Sequence, residues 1–193
     1  MPLSLKLFFV LWFAAVGIWV SDGCGDAYDG PEATGQAGQN ALRGADSNRE
    51  SRVYLYFVEP GGRYLTGEIR NIEHPEDTLV FCRMLLEALI KGPGRGAAAG
   101  PLIPVLDPEA RVLGVYTDGA GTLYADLSGN AFLSHPKGVR SELLTVYAIV
   151  NTLIVNADDV DRVSILLDGS EAETFAGHID ISNPANAHML LVR

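Results

Sequence analysis

The side chains able to do chemistry in this chain are its acids, four histidines and two cysteines. Wall hydrolases work with paired carboxylates, and acids are plentiful: Glu59, Glu68, Asp118, Asp126, Asp168, Glu171 and Glu173. Asp118 and Asp168 each precede a glycine, where aspartate is favoured for local hydrogen bonds within a turn. Asp126 sits late in a strand-like segment, YADLS. Period-two alternation puts Tyr124, Asp126 and Ser128 on one face and Leu123, Ala125 and Leu127 on the other. That polar face is the candidate binding face, for carbohydrate or a metal. The plainer reading is a solvated sheet face.

His74 and His135 both precede proline, and His178 and His188 lie near the C-terminus. None has the spacing of a metal motif such as HExxH, so no metal or cofactor is expected. Cys82 falls on the apolar side of a predicted helix, where a thiol is a small core side chain and not a nucleophile. No Gly-x-Ser-x-Gly elbow is present, and no catalytic residue is assigned. Gly92-Pro93-Gly94-Arg95-Gly96 resembles a phosphate loop in composition only. It closes a predicted helix instead of opening one, so it reads as a helix C-cap. Asn151-Thr152 interrupt an apolar helix, and polar groups there need partners. A sheet edge or loop backbone is expected to supply them.

Bulk properties narrow the partners. The chain has 193 residues and a formal net charge of −10. An acidic surface repels phosphate backbones and anionic lipid headgroups, which excludes nucleic acid and adhesion through a basic patch. Two cysteines, Cys24 and Cys82, cannot build a disulfide scaffold. The length suits one folded domain.

The N-terminus is expected to export the chain. Leu7 to Val20 is a continuous apolar run behind Lys6, shorter than the roughly 20 residues of a membrane span and suited to a signal peptide. Residues 1–23 are assigned to that signal. Cys24 follows it within SDGC, the place of a lipid-accepting cysteine, although Ser21 and Asp22 depart from the usual pattern. An uncleaved anchor or ordinary cleavage are the other readings. Either a lipid or a signal anchor would leave the protein on a membrane of the cell envelope, facing periplasm or exterior. Residues 24–51 are small and polar with a single Leu42, too poor in apolar surface to offset chain entropy. They read as a flexible tether reaching about 30 Å.

The domain is assigned to residues 52–193. RVYLYFVEP and Tyr64–Ile72 read as a hairpin joined by Pro60-Gly61-Gly62. A helix is expected from about His74-Pro75 to Lys91, with Leu79, Cys82, Leu86, Leu89 and Ile90 inward. RVLGVYTD and GTLYADLS form a second hairpin around Asp118-Gly119. A second helix covers about Lys137 to Val155, with Leu143, Leu144, Tyr147, Val150, Leu153 and Ile154 inward. Val160–Gly169 reads as a strand whose apolar run through Val163 and Ile165-Leu166-Leu167 is typical of a central position, and residues 177–182 give a short last strand. The order is ββαββαβ(β). The expected fold is α/β of the α+β kind, a mixed sheet of about five to six strands with two helices packed on one face.

In that order, VYLYFVEP, LIKGP, LIP before RVLGVYTD, LYADLSGNAF, YAIVNTL and VSILLDGSEAETFAGHIDIS together resemble the GerMN domain family over about residues 53–185. The family is named for a spore germination protein. The resemblance implies an exported or membrane-anchored lipoprotein whose small α/β fold is similar to the ring-building motifs of envelope secretion machines. It thereby implies a non-catalytic interaction or assembly module, binding a protein partner or copies of itself. That germination protein carries two copies of the domain and this chain has room for one. Peptidoglycan binding or hydrolysis is the alternative function, and a small-molecule-binding lipoprotein the third.

Overall fold

The computed structural model describes residues 50–94, 100–132 and 138–193. The expected signal, Cys24 and nearly all of the expected tether lie outside the described residues. The tether's last two residues, Glu50 and Ser51, already belong to the first strand.

Two helices and six strands follow in order: β1 (Glu50–Val58), β2 (Leu65–Glu73), α1 (Thr78–Ile90), β3 (Val112–Thr117), β4 (Thr122–Leu127), α2 (Val139–Asn156), β5 (Arg162–Leu167) and β6 (Ser170–Glu171). The α+β class and element order are those of the sequence reading. The strands form two sheets. β1 and β2 make an antiparallel pair, and β3-β4-β5-β6 make the other sheet, with β4 and β5 parallel across the α2 crossover. β4 and β5 are the interior strands of that sheet, with β5 between β4 and the short β6, as its apolar run led one to expect.

The division into two sheets has a local cause. On the side of β1 away from β2, the Tyr54 N–H donates to Asn156 Oδ1 at 2.9 Å, and Asn156 Nδ2 returns a bond to the Tyr54 carbonyl at 2.8 Å. The Tyr56 N–H donates to Thr152 Oγ1 at 3.2 Å. Val58 exchanges both backbone bonds with Ile103. Side chains one turn apart on α2 thus occupy the edge where another strand would have paired. Thr152 meets the sheet edge that its mid-helix position called for. Asn151 faces the other way and binds the His188 backbone through both halves of its amide.

α2 is buried almost continuously from Leu144 to Leu153, as expected of a helix with partners on all sides. It packs against β1, β5 and α1, while α1 packs against β3 and β1. The start of α1 is later than expected, because Asp77 is the N-cap and accepts the Leu79 and Val80 N–H groups. Glu76 and Asp77, acids that a start at His74-Pro75 would put in the first turn, therefore lie before the helix and at its cap. Of the predicted inner face, Cys82, Leu86, Leu89 and Ile90 are buried, joined by Phe81 and Leu85. Gly92, with φ +83°, ends the helix as a C-cap glycine. Arg70 from β2 seals that end by donating to the Gly92 carbonyl at 2.6 Å while lying over Phe57.

The last short strand falls at Ser170–Glu171 instead of residues 177–182. The Ala176, His178 and Ile179 N–H groups all turn toward one carboxylate, that of Glu142. Extended backbone points successive N–H groups in opposite directions, so this segment cannot also be a strand. It closes on itself through the Thr174–Asp180 bridge.

Candidate functional site

Glu142 is the most unusual ionisable group among the described residues. It is 1% exposed and stands in the first turn of α2, where an acid suits the helix dipole. Its Oε2 accepts the Ala176, His178 and Ile179 N–H groups at 3.3, 3.0 and 3.3 Å, and its Oε1 lies 2.5 Å from His178 Nδ1. Burial pushes this carboxyl's pKa up. The hydrogen bonds from the His178 ring, the His178 and Ile179 amides and the His178 charge outweigh it, so the carboxyl is held below its ordinary value. Converging backbone N–H groups make an anion nest, filled here by the protein's own carboxylate. The arrangement fastens the 173–182 loop to α2. That loop walls a narrow apolar cavity of about 70 Å³ beside Tyr147, Val163 and Ile165.

Sequence reasoning did not single out Glu142. The signal was present: Glu142 lies three, four and seven residues before Thr145, Val146 and Ile149, on the face of α2 that is buried.

The candidate face on β4 has a different character. Asp126 is 5% exposed, and its Oδ1 accepts the Gly169 N–H at 2.9 Å. Ser128 Oγ accepts the Arg111 N–H at 2.8 Å and lies 2.5 Å from Asn130 Oδ1. Tyr124 is half-buried and opposite Tyr116 of β3. Asp126 and Ser128 are occupied with backbone, and the face is not solvated at Asp126. Asp118 does what its turn predicts, whereas Asp168 reaches across to backbone 39 residues away. Asp118 Oδ1 accepts the Ala120 and Thr122 N–H groups, which hold its pKa below the ordinary value. Asp168, at φ +51°, accepts the Gly129 N–H.

Asp77, Asp158, Asp159 and Asp161 instead line an open cleft of about 560 Å³ between the start of α1 and the β3–β4 and α2–β5 turns. Asp158, Asp159 and Asp161 are neighbours in sequence, and the fold brings Asp77 to them. Among the described residues, no group of three or more potential ligands is placed to hold a metal ion.

The other reactive groups are packed away. His74 packs at a tilt against Phe81 with ring centroids 4.2 Å apart, and His188 meets the Tyr147 ring edge-on. His135 and Arg95-Gly96 lie outside the described residues. Cys82 is fully buried, and burial pushes its thiol up to about 12. Its thiolate population at neutral pH is negligible. Native protein treated with a thiol reagent at pH 7.5 should show no modification of Cys82, which should react fully in 6 M guanidinium. Rapid native labelling would contradict its burial.

A family model described as Germane, sporulation and spore germination, matches residues 54–173. The chain belongs to the Germane family. Its Germane domain resembles the tandem GerMN domains of the sporulation protein GerM from Bacillus subtilis, at 22% identity and a TM-score of 0.56, over 72% of this chain and 46% of that one. The first GerMN domain of the same protein matches at 20% identity and a TM-score of 0.52, over 70% of this chain and 97% of that one. The chain thus spans about half of the tandem protein and nearly all of its single domain. A Clostridium perfringens protein assigned as a lipoprotein matches at 20% identity and a TM-score of 0.50, over 74% of this chain and 89% of that one. These likenesses establish a GerMN-type fold for the Germane domain. No curated protein matches the chain.

Proposed function

We propose that this protein is a non-catalytic module of the cell envelope, whose single Germane domain binds a protein partner or another copy of itself. The observation that carries the reading is the use made of its polar side chains. Glu142, Asp126, Ser128, Asn151, Thr152 and Asn156 each hold backbone of the same chain, and the buried thiol is inert. The family match supports it from another side, because the matched description concerns sporulation and germination. A resembling protein is assigned as a lipoprotein, which supports export and attachment through Cys24, with the domain facing periplasm or exterior on a tether of residues 24–51. Residues 1–23 would be the signal, and 52–193, with β1 reaching back to Glu50, the functional domain.

The open cleft bearing Asp77, Asp158, Asp159 and Asp161 favours peptidoglycan binding or hydrolysis as the second reading. One fractionation separates the two. Cells expressing the full chain are treated with a membrane-impermeant crosslinker, and membranes and sacculi are then isolated. The module reading expects the chain in a discrete crosslinked species with protein, and sacculi left uncut and free of it. Retention on sacculi, or release of wall fragments by the purified chain, together with no crosslinked species, would overturn it.

A further inference from the structure

The two edges of the β1–β2 pair are treated in opposite ways. The β1 edge is sealed by Asn156, Thr152 and Ile103. Opposed residues of an antiparallel pair either bond to each other or both face away. Tyr54, Tyr56 and Val58 face away from β2, so their partners Ile69, Gly67 and Leu65 face away from β1. Leu65 confirms this, since its carbonyl accepts the Arg193 N–H at 2.9 Å on the far side. Beyond Leu65, that far edge has no backbone partner among the described residues. Gly67, Ile69 and Asn71 each present an N–H and a C=O outward. Ile69 is 50% exposed, and its cross-strand neighbour Tyr54 is 42% exposed. An open, partly apolar strand edge is a template for pairing.

We infer that the occupant of this edge is a second copy of the same strand, paired antiparallel about a two-fold axis at Ile69. The proposal rests on the module reading above and names its partner and surface. Charge selects the register. Glu68 and Arg70 already form an ion pair within each chain; with the axis at Ile69 the two pairs lie head to tail, so Glu68 of each copy stands opposite Arg70 of the other, Gly67 opposite Asn71, and Ile69 opposite Ile69. Moving the axis one residue to Glu68 sets Glu68 against itself, and moving it to Arg70 sets Arg70 against itself. Like charges directly opposite are destabilising, and opposite charges stabilise. The apolar groups agree with the same choice, because Tyr54 and Ile69 of both copies then form one row across four strands. The interface is isologous, so it closes at a dimer and does not propagate. Arg193, bonded at Leu65, ends the pairing on each side.

The test uses the full chain in cells that export it, with disulfide trapping at single introduced cysteines. In the proposed register, Ile69 faces its own copy at a Cα separation of about 5.5 Å, within disulfide reach. Asn71 is about four residues, roughly 13 Å, from its own copy and out of reach. Both positions are exposed. Buried Cys82 cannot take part, and the unsubstituted chain measures any background from Cys24. Mild oxidation should convert Ile69→Cys to a homodimer at least tenfold more efficiently than Asn71→Cys or the unsubstituted chain. Equal trapping at both positions, or no dimer at Ile69→Cys, would overturn the proposal. Trapping of Ile69→Cys to a different protein would overturn the second copy as occupant while leaving the module reading intact. Retention on sacculi in the fractionation above would fail that reading separately.

Discussion

Glu142→Ala is expected to lower the folding free energy by about 3 kcal/mol and the melting temperature by about 10 °C. The cost comes from what the carboxylate leaves behind. Three amides of the 176–179 segment and the His178 ring all converge on it. The carboxylate is 1% exposed, although the His178 ring is 45% exposed, so removing it strands chiefly the amides that face it, and a buried donor without a partner costs more than an average hydrogen bond contributes. The loop should loosen before the domain melts, because few apolar side chains hold it otherwise. Phe175 and Ile181 are its buried anchors. Glu142→Gln keeps one accepting oxygen and loses the charge, so it should lose roughly half as much.

The same residue sets part of the acid limit. The Glu142 carboxyl is held below its ordinary value in the folded chain, so the unfolded chain binds its proton first as pH falls. Its contribution is then complete above the unfolded value, about 4.5, and disappears as pH drops through the lower folded value. Asp118 and Asp180 are also held low by local hydrogen bonds and act in the same direction. Comparison of native protein with Glu142→Gln isolates the Glu142 share. Urea midpoints measured from pH 7 to pH 3 should fall more steeply below about pH 4.5 for the native chain. Parallel curves would show that the carboxylate is not what fastens the loop.

The elements and their order were legible because each carries local signals: alternation in β1 and β4, Asp77 and Gly92 bracketing α1, and turn residues at Asp118-Gly119. What was not legible depends on contacts distant in sequence. Thr152 and Asn156 lie 96 and 102 residues from the β1 residues they bond, so nothing near β1 signals that the sheet stops there. Residues 177–182 alternate convincingly, yet Glu142 competes for their N–H groups and wins. The centrality of β5 was legible from its apolar run: it lies between β4 and β6, and Val163 also bridges to Ala185. Among site residues, the fates of Asp118 and Cys82 followed from local position alone, while Asp168 holds the distant Gly129 N–H. Those of Asp126 and Glu142 required knowing which backbone lies across from them.

Asn151→Ala should show how much of the C-terminus depends on one amide. Asn151 is fully buried in α2, accepts the His188 N–H at 2.8 Å and donates to the His188 carbonyl at a longer 3.4 Å. Alanine removes both and leaves a small void, so a loss of about 2 kcal/mol is expected. The effect should spread in one direction. His188 leads into the Met189–Leu191 turn, and from there Val192 and Arg193 bond beside Leu65 at the start of the β2 edge. Leu191 and Val192 pack only partly against the core, Arg193 lies over the Tyr64 ring, and Leu190 is 87% exposed. Hydrogen exchange at the His188 and Arg193 amides should therefore accelerate by more than the global loss of stability explains, while the Tyr54 and Tyr56 amides, held from the other side of α2, should change only by that global amount. Uniform acceleration would mean that Asn151 acts through helix stability alone. Selective release would make Asn151 the residue that fixes where the open edge of β2 begins.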